Sequence, residues 1–406
     1  MTGLIETRAA ADTIQLSDIR TPASSASLLL GPTVPGIAAW LGVRLLGKPL
    51  RLGKTVIVAR HRDVDEVLRR DLDFRIAPVN AERIDAVNDP YVLGMDRSDQ
   101  LTVERRALYS ALAAVDIGAI MERSAGDADR LLDAAGEGPI DVVSGYARIV
   151  AGATAKRLFG IAGSDEATFL EVARAIFAHT FLNLGGDTVI EARALRAATL
   201  MRAWFETEIA RRRAAKITGS DFMGALMRQP QLTDDGVRRT LGGMLVGSID
   251  TTASSVAKIV ATLARDSELR AAARHDADDP VLTLGWCREA LRRWPHNPLV
   301  LRKTVTDTTL NGVAIPAGSQ VFAWTQAAML DAEAFPDPQQ MRPDRPAGGY
   351  LHFGGGLHPC AGRAINDVQI PMLVSKLLTR GMAKVGRIRW AGPFPDHLPV
   401  ELRRAR

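Results

Sequence analysis

Cysteine is scarce in this sequence, and its scarcity excludes two kinds of cross-linked protein. The 406 residues include two cysteines, Cys287 and Cys360, whose separation matches neither a disulfide framework nor a zinc site. This usage fits a reducing compartment, so we expect the chain to be cytoplasmic. The N-terminal segment carries Glu6, Arg8 and Asp12 and lacks the basic, apolar and small-residue order of a signal peptide.

No charge of one sign dominates the chain. Lysine and arginine together number 51, against 46 aspartate and glutamate residues, which gives a formal net charge of +5. This excess is mild for the length and too dispersed to indicate nucleic-acid binding. The basic run at 211–213 fits a solvated helix face, although an acidic protein partner stays open.

The sequence also lacks a long uninterrupted hydrophobic run. The most apolar stretch, residues 28–46, contains Arg44 and is broken by Gly31, Pro32, Pro35 and Gly36. It falls short of the roughly 20 apolar residues that a membrane span needs. We expect a packed surface helix there and no transmembrane anchor, and peripheral membrane contact stays open.

Helical periodicity, by contrast, is abundant. Apolar residues recur at three- and four-residue spacing from Glu104 to Trp294, with few prolines. No linker-like segment interrupts the chain, so we predict one domain over residues 1–406. The predicted fold class is mainly α with small β-sheets. Its helix-rich body covers about 95–294 and 360–380, and its β-containing parts cover about 48–75, 300–325 and 384–406.

Short β elements are predicted on both sides of the helical body. Residues 55–58 have the composition of a strand. Asn311-Gly312 is typical of a hairpin turn, and a further strand is predicted at 321–324.

Two helices carry polar residues where a plain core would not favour them. The longer one, of about 30 residues, is capped by Thr233 and runs through Leu263, with a local opening or bend where hydroxyls follow a glycine. The second begins at Asp279-Pro280, a cap followed by proline at the first helical position, and ends before Pro295.

The most informative segment is the loop at 353–363, Phe-Gly-Gly-Gly-Leu-His-Pro-Cys-Ala-Gly-Arg. Consecutive glycines lose much conformational entropy on ordering, so they indicate a backbone that approaches another group closely. Cys360 lies at the beginning of the helix predicted after the loop, where free N–H groups and the helix dipole favour a thiolate. A thiolate is a known axial ligand of haem iron. The alternative is a glycine-rich turn with an incidental buried cysteine, but the combined arrangement is rare.

This loop resembles the haem-binding signature of the cytochrome P450 family, in its soluble bacterial form. The resemblance implies a triangular helical body in which haem b lies between a long distal helix and the cysteine loop. Cys360 would be the iron ligand. The other implied haem contacts are the propionate partners His358, Arg302 and Arg105 and the loop residues Phe353, Gly354 and Gly362.

The family also carries a buried glutamate–arginine–arginine network that supports haem retention. Glu289 and Arg292 are three residues apart, so they share a helix face and can pair. By resemblance, Arg345 in the proline-rich segment 335–345 would complete the network. Without the resemblance, an ordinary surface pair would explain the first two residues.

The segment 247–252 is similar to the acid–alcohol pair of the family, with Asp250 and Thr251 as the implied catalytic residues. Splitting O2 needs two protons in a pocket that otherwise excludes water. Asp250 would relay them, and Thr251 would hold the oxygen or a water molecule. The alternative is a Ser/Thr-rich helix that packs on a neighbour.

Several positions depart from the family pattern. Leu101 stands where a histidine is common, which would remove one propionate contact, and Ser248 stands where a glycine is common. Ser248 would narrow the distal pocket or hydrogen-bond to substrate. Met341 replaces an aromatic residue and Met-Leu-Asp at 329–331 replaces Asn-Arg-Asp, and packing tolerates both changes.

The resemblance implies a monooxygenase that inserts one oxygen atom of O2 into a hydrophobic small molecule, by hydroxylation. The sequence has neither a flavin-type nor an iron–sulfur-type segment, so electrons would come from an acidic ferredoxin or flavodoxin. We expect a monomer. An H2O2-driven peroxygenase and a non-catalytic haem-binding sensor stay open as alternatives. The expected docking residues are Arg105, Arg106, Arg363, Lys376 and Arg380.

By the same resemblance, the substrate pocket draws on separate parts of the chain that are mostly apolar. Fatty acids, terpenoids, steroids and aromatic compounds all fit such a lining. The principal pocket residues are Phe177, Phe181, Met244, Gly247, Ser248, Leu299 and Val300.

Overall fold

The computed structural model describes residues 7, 10–11, 13–20, 33–161, 165–391 and 394–403. Residues 28–32 of the apolar stretch and residues 392–393 and 404–406 of the last β-containing part lie outside the described residues.

α-Helices make up most of the described chain, as the periodicity predicts. In chain order they are α1 (Leu16–Ile19), α2 (Thr33–Leu45), α3 (His61–Arg69), α4 (Ala77–Asn88), α5 (Asp99–Ala113), α6 (Ile117–Ala135), α7 (Arg148–Phe159), α8 (Glu166–Phe177), α9 (Thr188–Ala215), α10 (Phe222–Met227), α11 (Asp234–Val246), α12 (Asp250–Leu263), α13 (Ser267–His275), α14 (Pro280–Arg293), α15 (Thr325–Ala328) and α16 (Arg363–Arg380). π-Helical segments at Val143–Ala147 and Ala178–Leu182 adjoin α7 and α8.

Among the described residues the strands are short and form four small sheets. In chain order they are β1 (Leu50–Leu52), β2 (Thr55–Val58), β3 (Phe74–Arg75), β4 (Pro139–Asp141), β5 (Val300–Thr304), β6 (Thr308–Leu310), β7 (Val313–Ile315), β8 (Gln320–Ala323), β9 (Met382–Val385), β10 (Arg389–Ala391), β11 (Phe394–His397) and β12 (Pro399–Leu402). The largest sheet has the order β1-β2-β8-β5-β3, and the others are β4-β12-β9, β6-β7 and β10-β11. The predicted class, mainly α with small sheets, is confirmed.

The chain divides into two compact units. The first, Met1–Ala23, Asn80–Asp127 and Arg148–Thr252, is helical, and the aromatic rings of Phe159 and Phe222 meet in its core with centroids 6.2 Å apart. The second, Ser24–Val79, Ala128–Ala147 and Ala253–Arg406, contains the described strands. An apolar cluster in this unit buries side chains of β2, β8 and α3.

Local signals in the sequence place several element ends correctly. The Thr233 hydroxyl accepts the Gly236 N–H at 3.1 Å, and the Asp279 carboxylate accepts the N–H groups of the first turn of α14. The Asn-Gly turn joins β6 to β7, with positive φ of 47° at Asn311 and 74° at Gly312, as a hairpin of this type requires. The strands predicted at 55–58 and 321–324 are β2 and β8.

The predicted helix of about 30 residues is wrong in its continuity. It is divided into α11 and α12 by residues 247–249, where the sequence predicted an opening or bend. The Ser248 hydroxyl donates to the Leu245 carbonyl at 2.8 Å, and the Thr251 hydroxyl donates to the Gly247 carbonyl at 2.6 Å. Hydroxyls therefore bond to carbonyls that backbone N–H groups bind in a regular helix.

Among the described residues, none of the helices combines the length and the apolar character that crossing a bilayer requires.

Candidate functional site

The cysteine loop is closed by its own backbone. The Cys360 N–H donates to the Phe353 carbonyl at 2.9 Å, and the Gly354 N–H donates to the Leu351 carbonyl at 2.9 Å. Gly354 and Gly356 have φ of 68° and 64°, in the left-handed region that favours glycine. A Cβ at Gly356 would lie 1.8 Å from the Leu68 carbonyl oxygen. The close approach that the glycines predict is therefore found between the backbones of Gly356 and Leu68.

The Cys360 thiol is free and partly exposed at the end of this loop. Protein atoms nevertheless crowd it, and this burial raises its pKa, against the lowering effect of a hydrogen bond from the Gly362 N–H. The predicted N–H contribution is therefore present, but burial outweighs it in the protein alone, and α16 begins only at Arg363, three residues after the cysteine. A bound cation removes this penalty, since a coordinating thiol is deprotonated by the metal. An accessible sulfur with a backbone N–H donor fits an iron ligand.

The predicted propionate contacts lie in both units. Arg302 lies on β5, where it is 4% exposed, and its Nη1 donates to the Leu301 carbonyl at 2.8 Å. His358 is half-buried in the cysteine loop. Both belong to the unit that contains Cys360, whereas Arg105 belongs to the helical unit, on α5, with its guanidinium 5.3 Å from the centre of the Tyr109 ring. Arg302 is therefore a buried cation in the unit that contains Cys360, and a guanidinium is the kind of group that binds a carboxylate.

The structure brings Glu289, Arg292 and Arg345 together. The Arg292 Nε and Nη2 donate to the two Glu289 carboxylate oxygens at 2.8 and 3.0 Å, and both side chains are fully buried. The Arg345 Nε lies 3.3 Å from Glu289 Oε2. A bidentate pair with no exposure is not an ordinary surface pair.

Two partners of Glu289 were missed from the sequence. The Tyr350 hydroxyl donates to Oε1 at 2.8 Å, and the Arg342 backbone N–H donates to Oε2 at 3.1 Å. Burial alone would raise the pKa of Glu289, but the hydrogen bonds and charge of Arg292, with these two donors, hold it below its usual value. The carboxylate is therefore kept ionised inside the protein.

Asp250 is the first residue of α12 and is buried. Its Oδ1 accepts hydrogen bonds from Arg174 Nε and Nη2, at 2.9 and 2.8 Å, and lies 3.0 Å from Arg148 Nε. Arg148 in turn pairs with Glu171 at 3.2 Å. This buried ionic cluster was not predicted. One feature of the sequence could have indicated the cluster. Arg174 is a charged residue in α8, a helix that carries apolar residues on every side.

The predicted pocket residues also fall in two units. In the helical unit, the rings of Phe177 and Phe181 pair with centroids 4.8 Å apart, Met244 is buried, and Gly247 and Ser248 form the break between α11 and α12. In the other unit, Leu299 and Val300 lie at the beginning of β5. The Ser248 hydroxyl is bonded to the helix carbonyl of Leu245.

The expected docking cations on α16 have acidic partners. Lys376 Nζ lies 2.7 Å from Asp129, Arg380 bonds to Asp133, and Arg363 lies 3.4 Å from Asp367. These pairs reduce the positive potential that the sequence predicts for this helix. Arg105 and Arg106 lie on α5 in the helical unit.

At the packing departures, Met329 is fully buried and its sulfur accepts the Leu351 N–H at 3.2 Å. Asp331 accepts the His61 N–H and an Arg60 hydrogen bond, both at 3.0 Å. Leu101, which stands where the family commonly has a histidine, is a buried apolar side chain.

Comparison with known proteins agrees with this geometry. A family model described as Cytochrome P450 matches residues 50–380. Mycinamicin IV hydroxylase/epoxidase from Micromonospora griseorubida is 31% identical over 77% of this chain and 78% of its own length. Nocardicin C N-oxygenase from Nocardia uniformis subsp. tsuyamanensis is 29% identical over 80% and 81%. The structure of P450BioI in complex with an acyl carrier protein superposes with a TM-score of 0.80, at 19% identity, over 93% of this chain and 100% of that one.

Proposed function

Because the chain belongs to the cytochrome P450 family, a family of monooxygenases with haem b as cofactor, we propose that it hydroxylates an apolar small molecule with Cys360 as the iron ligand. The observation that supports this most directly is the partly exposed Cys360 thiol at the end of the glycine loop. Arg302 and His358 would hold the haem propionates, Arg105 would add a contact, and Phe353, Gly354 and Gly362 would pack against the ring. When bound, the haem supplies binding and activation of O2.

Asp250 and Thr251 are the proposed proton-delivering pair. Asp250 is held by Arg174 and Arg148, so its carboxylate must change partners to pass a proton inward. The Thr251 hydroxyl donates to the Gly247 carbonyl at 2.6 Å, and it would turn from that carbonyl to hold a water molecule or the oxygen.

The test of the iron ligand is Cys360→Ser, with Cys287→Ser as matched control. Cys287 is fully buried on α14, and burial raises the pKa of its thiol, so it makes a poor ligand. The reduced carbon monoxide complex of the wild type and of Cys287→Ser should have the red-shifted Soret band of thiolate haem. Cys360→Ser should lose that band, and its persistence there would contradict the proposal.

Electrons are proposed to come from a separate acidic ferredoxin or flavodoxin. Arg363 and Lys376 on α16 are the residues whose charge reversal, Arg363→Glu and Lys376→Glu, should slow reduction most at low salt. Asp129 pairs with Lys376, so Asp129→Asn should speed reduction. Unchanged reduction rates in all three variants would exclude α16 as the docking helix. The protein is proposed to work as a monomer in the cytoplasm, and two free cysteines fit a reducing compartment.

The substrate is proposed to be apolar, because Phe177, Phe181 and Met244 are apolar and buried or paired, with Gly247, Ser248, Leu299 and Val300 as further contacts. The relatives are named for unlike compounds, mycinamicin IV and nocardicin C, so the family alone selects no substrate. A screen of fatty acids, terpenoids, steroids, aromatic compounds and polar compounds of similar size for a substrate-induced spin-state shift would identify the class. A response only to polar compounds would contradict an apolar pocket.

A further inference from the structure

The turn between α14 and β5, residues 294–299, has no regular secondary structure and contains Pro295 and Pro298. Its backbone carbonyls therefore need partners from outside the turn. Side chains of two other elements provide them. α12 contributes Lys258, and α15 contributes Thr325 and Gln326.

Lys258 is 6% exposed although it carries an amine. Its Nζ donates to the Pro295 carbonyl at 2.8 Å, lies 3.4 Å from the His296 carbonyl, and lies 5.3 Å from the centre of the Trp294 ring. These three partners are consecutive residues of the turn.

A buried ammonium group is expensive, and burial lowers the pKa of Lys258 to about 7. A methionine of similar length would occupy the same space without that cost. Packing of α12 therefore does not account for a lysine at this position, whereas the two carbonyl acceptors do.

Contacts from α15 hold the turn at Pro298, near its end, and at Arg293, the residue just before it. The Thr325 hydroxyl donates to the Pro298 carbonyl at 2.9 Å, and the Gln326 side chain donates to the Arg293 carbonyl at 2.7 Å. The Gln326 backbone N–H also donates to Pro298, at 3.1 Å. The turn is thus fixed from two sides, and Lys258 provides the contacts from α12.

Leu299 is the last residue of this turn, and Val300 is the first residue of β5. The buried Arg302 follows two residues later on the same strand. We propose that Lys258 is a positioning residue, which fixes the turn 294–299 and thereby the range of ligands that Leu299 and Val300 admit. This inference rests on the proposed function, in which those two residues line the pocket. Lys258 acts through the turn and touches no substrate.

The test compares Lys258→Met, Lys258→Arg and a control, Lys384→Met, whose side chain is 75% exposed. Imidazole and 4-phenylimidazole are the probes, because both bind ferric haem iron through nitrogen and only the second extends into the pocket. The ratio of their two dissociation constants should change by about fivefold in Lys258→Met, as expected for loss of one hydrogen bond. Amide hydrogen exchange of the segment 294–302 should become faster in the same variant.

Lys258→Arg retains a charged donor and should change both quantities less than Lys258→Met, and Lys384→Met should change neither. If Lys258→Met does not fold, Thr325→Val provides the same test from the other side of the turn. An unchanged ratio in the folded variant would overturn the inference, even with faster exchange, because the lysine would then support the turn without affecting ligand choice. A wild-type protein that binds neither probe would contradict the proposed function instead.

Discussion

Arg174 donates two hydrogen bonds to a single carboxylate oxygen of Asp250, from Nε at 2.9 Å and from Nη2 at 2.8 Å. Both side chains are 3% exposed. Such a contact compensates the cost of burying the carboxylate, and it also engages one oxygen of the proposed proton donor. Arg148 Nε lies 3.0 Å from the same oxygen. It is a second cation that would still stabilise the Asp250 carboxylate if the contact with Arg174 opened.

Removal of Arg174 should therefore destabilise the protein without unfolding it. We expect Arg174→Met to lower the free energy of unfolding by about 2 kcal/mol, less than the roughly 3–5 kcal/mol of a fully orphaned buried charge, because Arg148 remains. Urea denaturation measures this. The control is Arg211→Met, whose side chain is 56% exposed beside Glu208 and which should leave the midpoint unchanged. Equal effects of the two variants would mean that the buried cluster does not stabilise the fold.

The Thr251 hydroxyl is expected to matter for O2 but not for peroxide. Thr251→Val removes the hydroxyl and keeps the shape, so product formed per electron pair should fall at least about tenfold with O2 and a reductase system. Turnover with H2O2 should be largely retained, because peroxide already carries the protons and electrons. Product analysis beside oxygen consumption measures both.

Thr252→Val is the matched control for that variant, because the Thr252 hydroxyl makes the same kind of bond, to the Ser248 carbonyl at 2.8 Å. It should remain coupled to O2. If the wild type turns over with H2O2 and not with O2 and a reductase, the enzyme is a peroxygenase. If it binds ligands and forms no product with either oxidant, it is a haem-binding sensor.

Much of the fold could be predicted because its signals are local. Thr233, Asp279 and the Asn311-Gly312 turn each fix an element end through contacts within a few residues. The position of the break between α11 and α12 could be predicted from the sequence, but the number of residues in it could not. A hydroxyl after a glycine indicates a bend, whereas the number of residues that leave the helix depends on packing.

The site was predictable where residues recur in a fixed pattern, as around Glu289, and not where they meet through tertiary contact. Arg148 and Arg174 come from two other helices and Tyr350 from a loop 61 residues away, so nothing in the spacing connects them to Asp250 or Glu289. Cys360 illustrates the converse. Its position was predictable, but burial outweighs the backbone donor in setting the pKa of its thiol, and burial depends on the whole fold.

The network around Glu289 should be the most sensitive structural element. Arg345→Met removes a side chain that is 5% exposed and 3.3 Å from Glu289, and we expect a loss of about 3 kcal/mol in unfolding free energy. Haem retained after gel filtration should fall in parallel. Arg342→Met is the matched control three residues away, since its side chain is 46% exposed beside Asp344 and its backbone N–H to Glu289 is kept. Full haem retention in Arg345→Met would contradict the role assigned to the network.

His352 should make stability depend on pH on the acid side of neutrality. Burial, with the positive charges of Arg288 and Arg363, lowers its pKa to about 3, and neither ring nitrogen hydrogen-bonds to a described residue. Between pH 3 and the unfolded value near 6.5, the unfolded chain therefore binds more protons than the folded one. Stability is complete above about pH 6.5 and falls as the pH decreases from there, by at most about 1.4 kcal/mol per pH unit from this group.

His352→Leu removes that titration, so its unfolding free energy should depend less steeply on pH between about 5 and 7 than that of the wild type. Urea denaturation at several pH values measures the two slopes. His275→Leu, on the exposed face of α13, should keep the wild-type slope. The same slope in all three proteins would mean that the His352 ring can take up a proton in the folded state, and that the enclosure of this side chain, one residue before the cysteine loop, opens at mildly acidic pH.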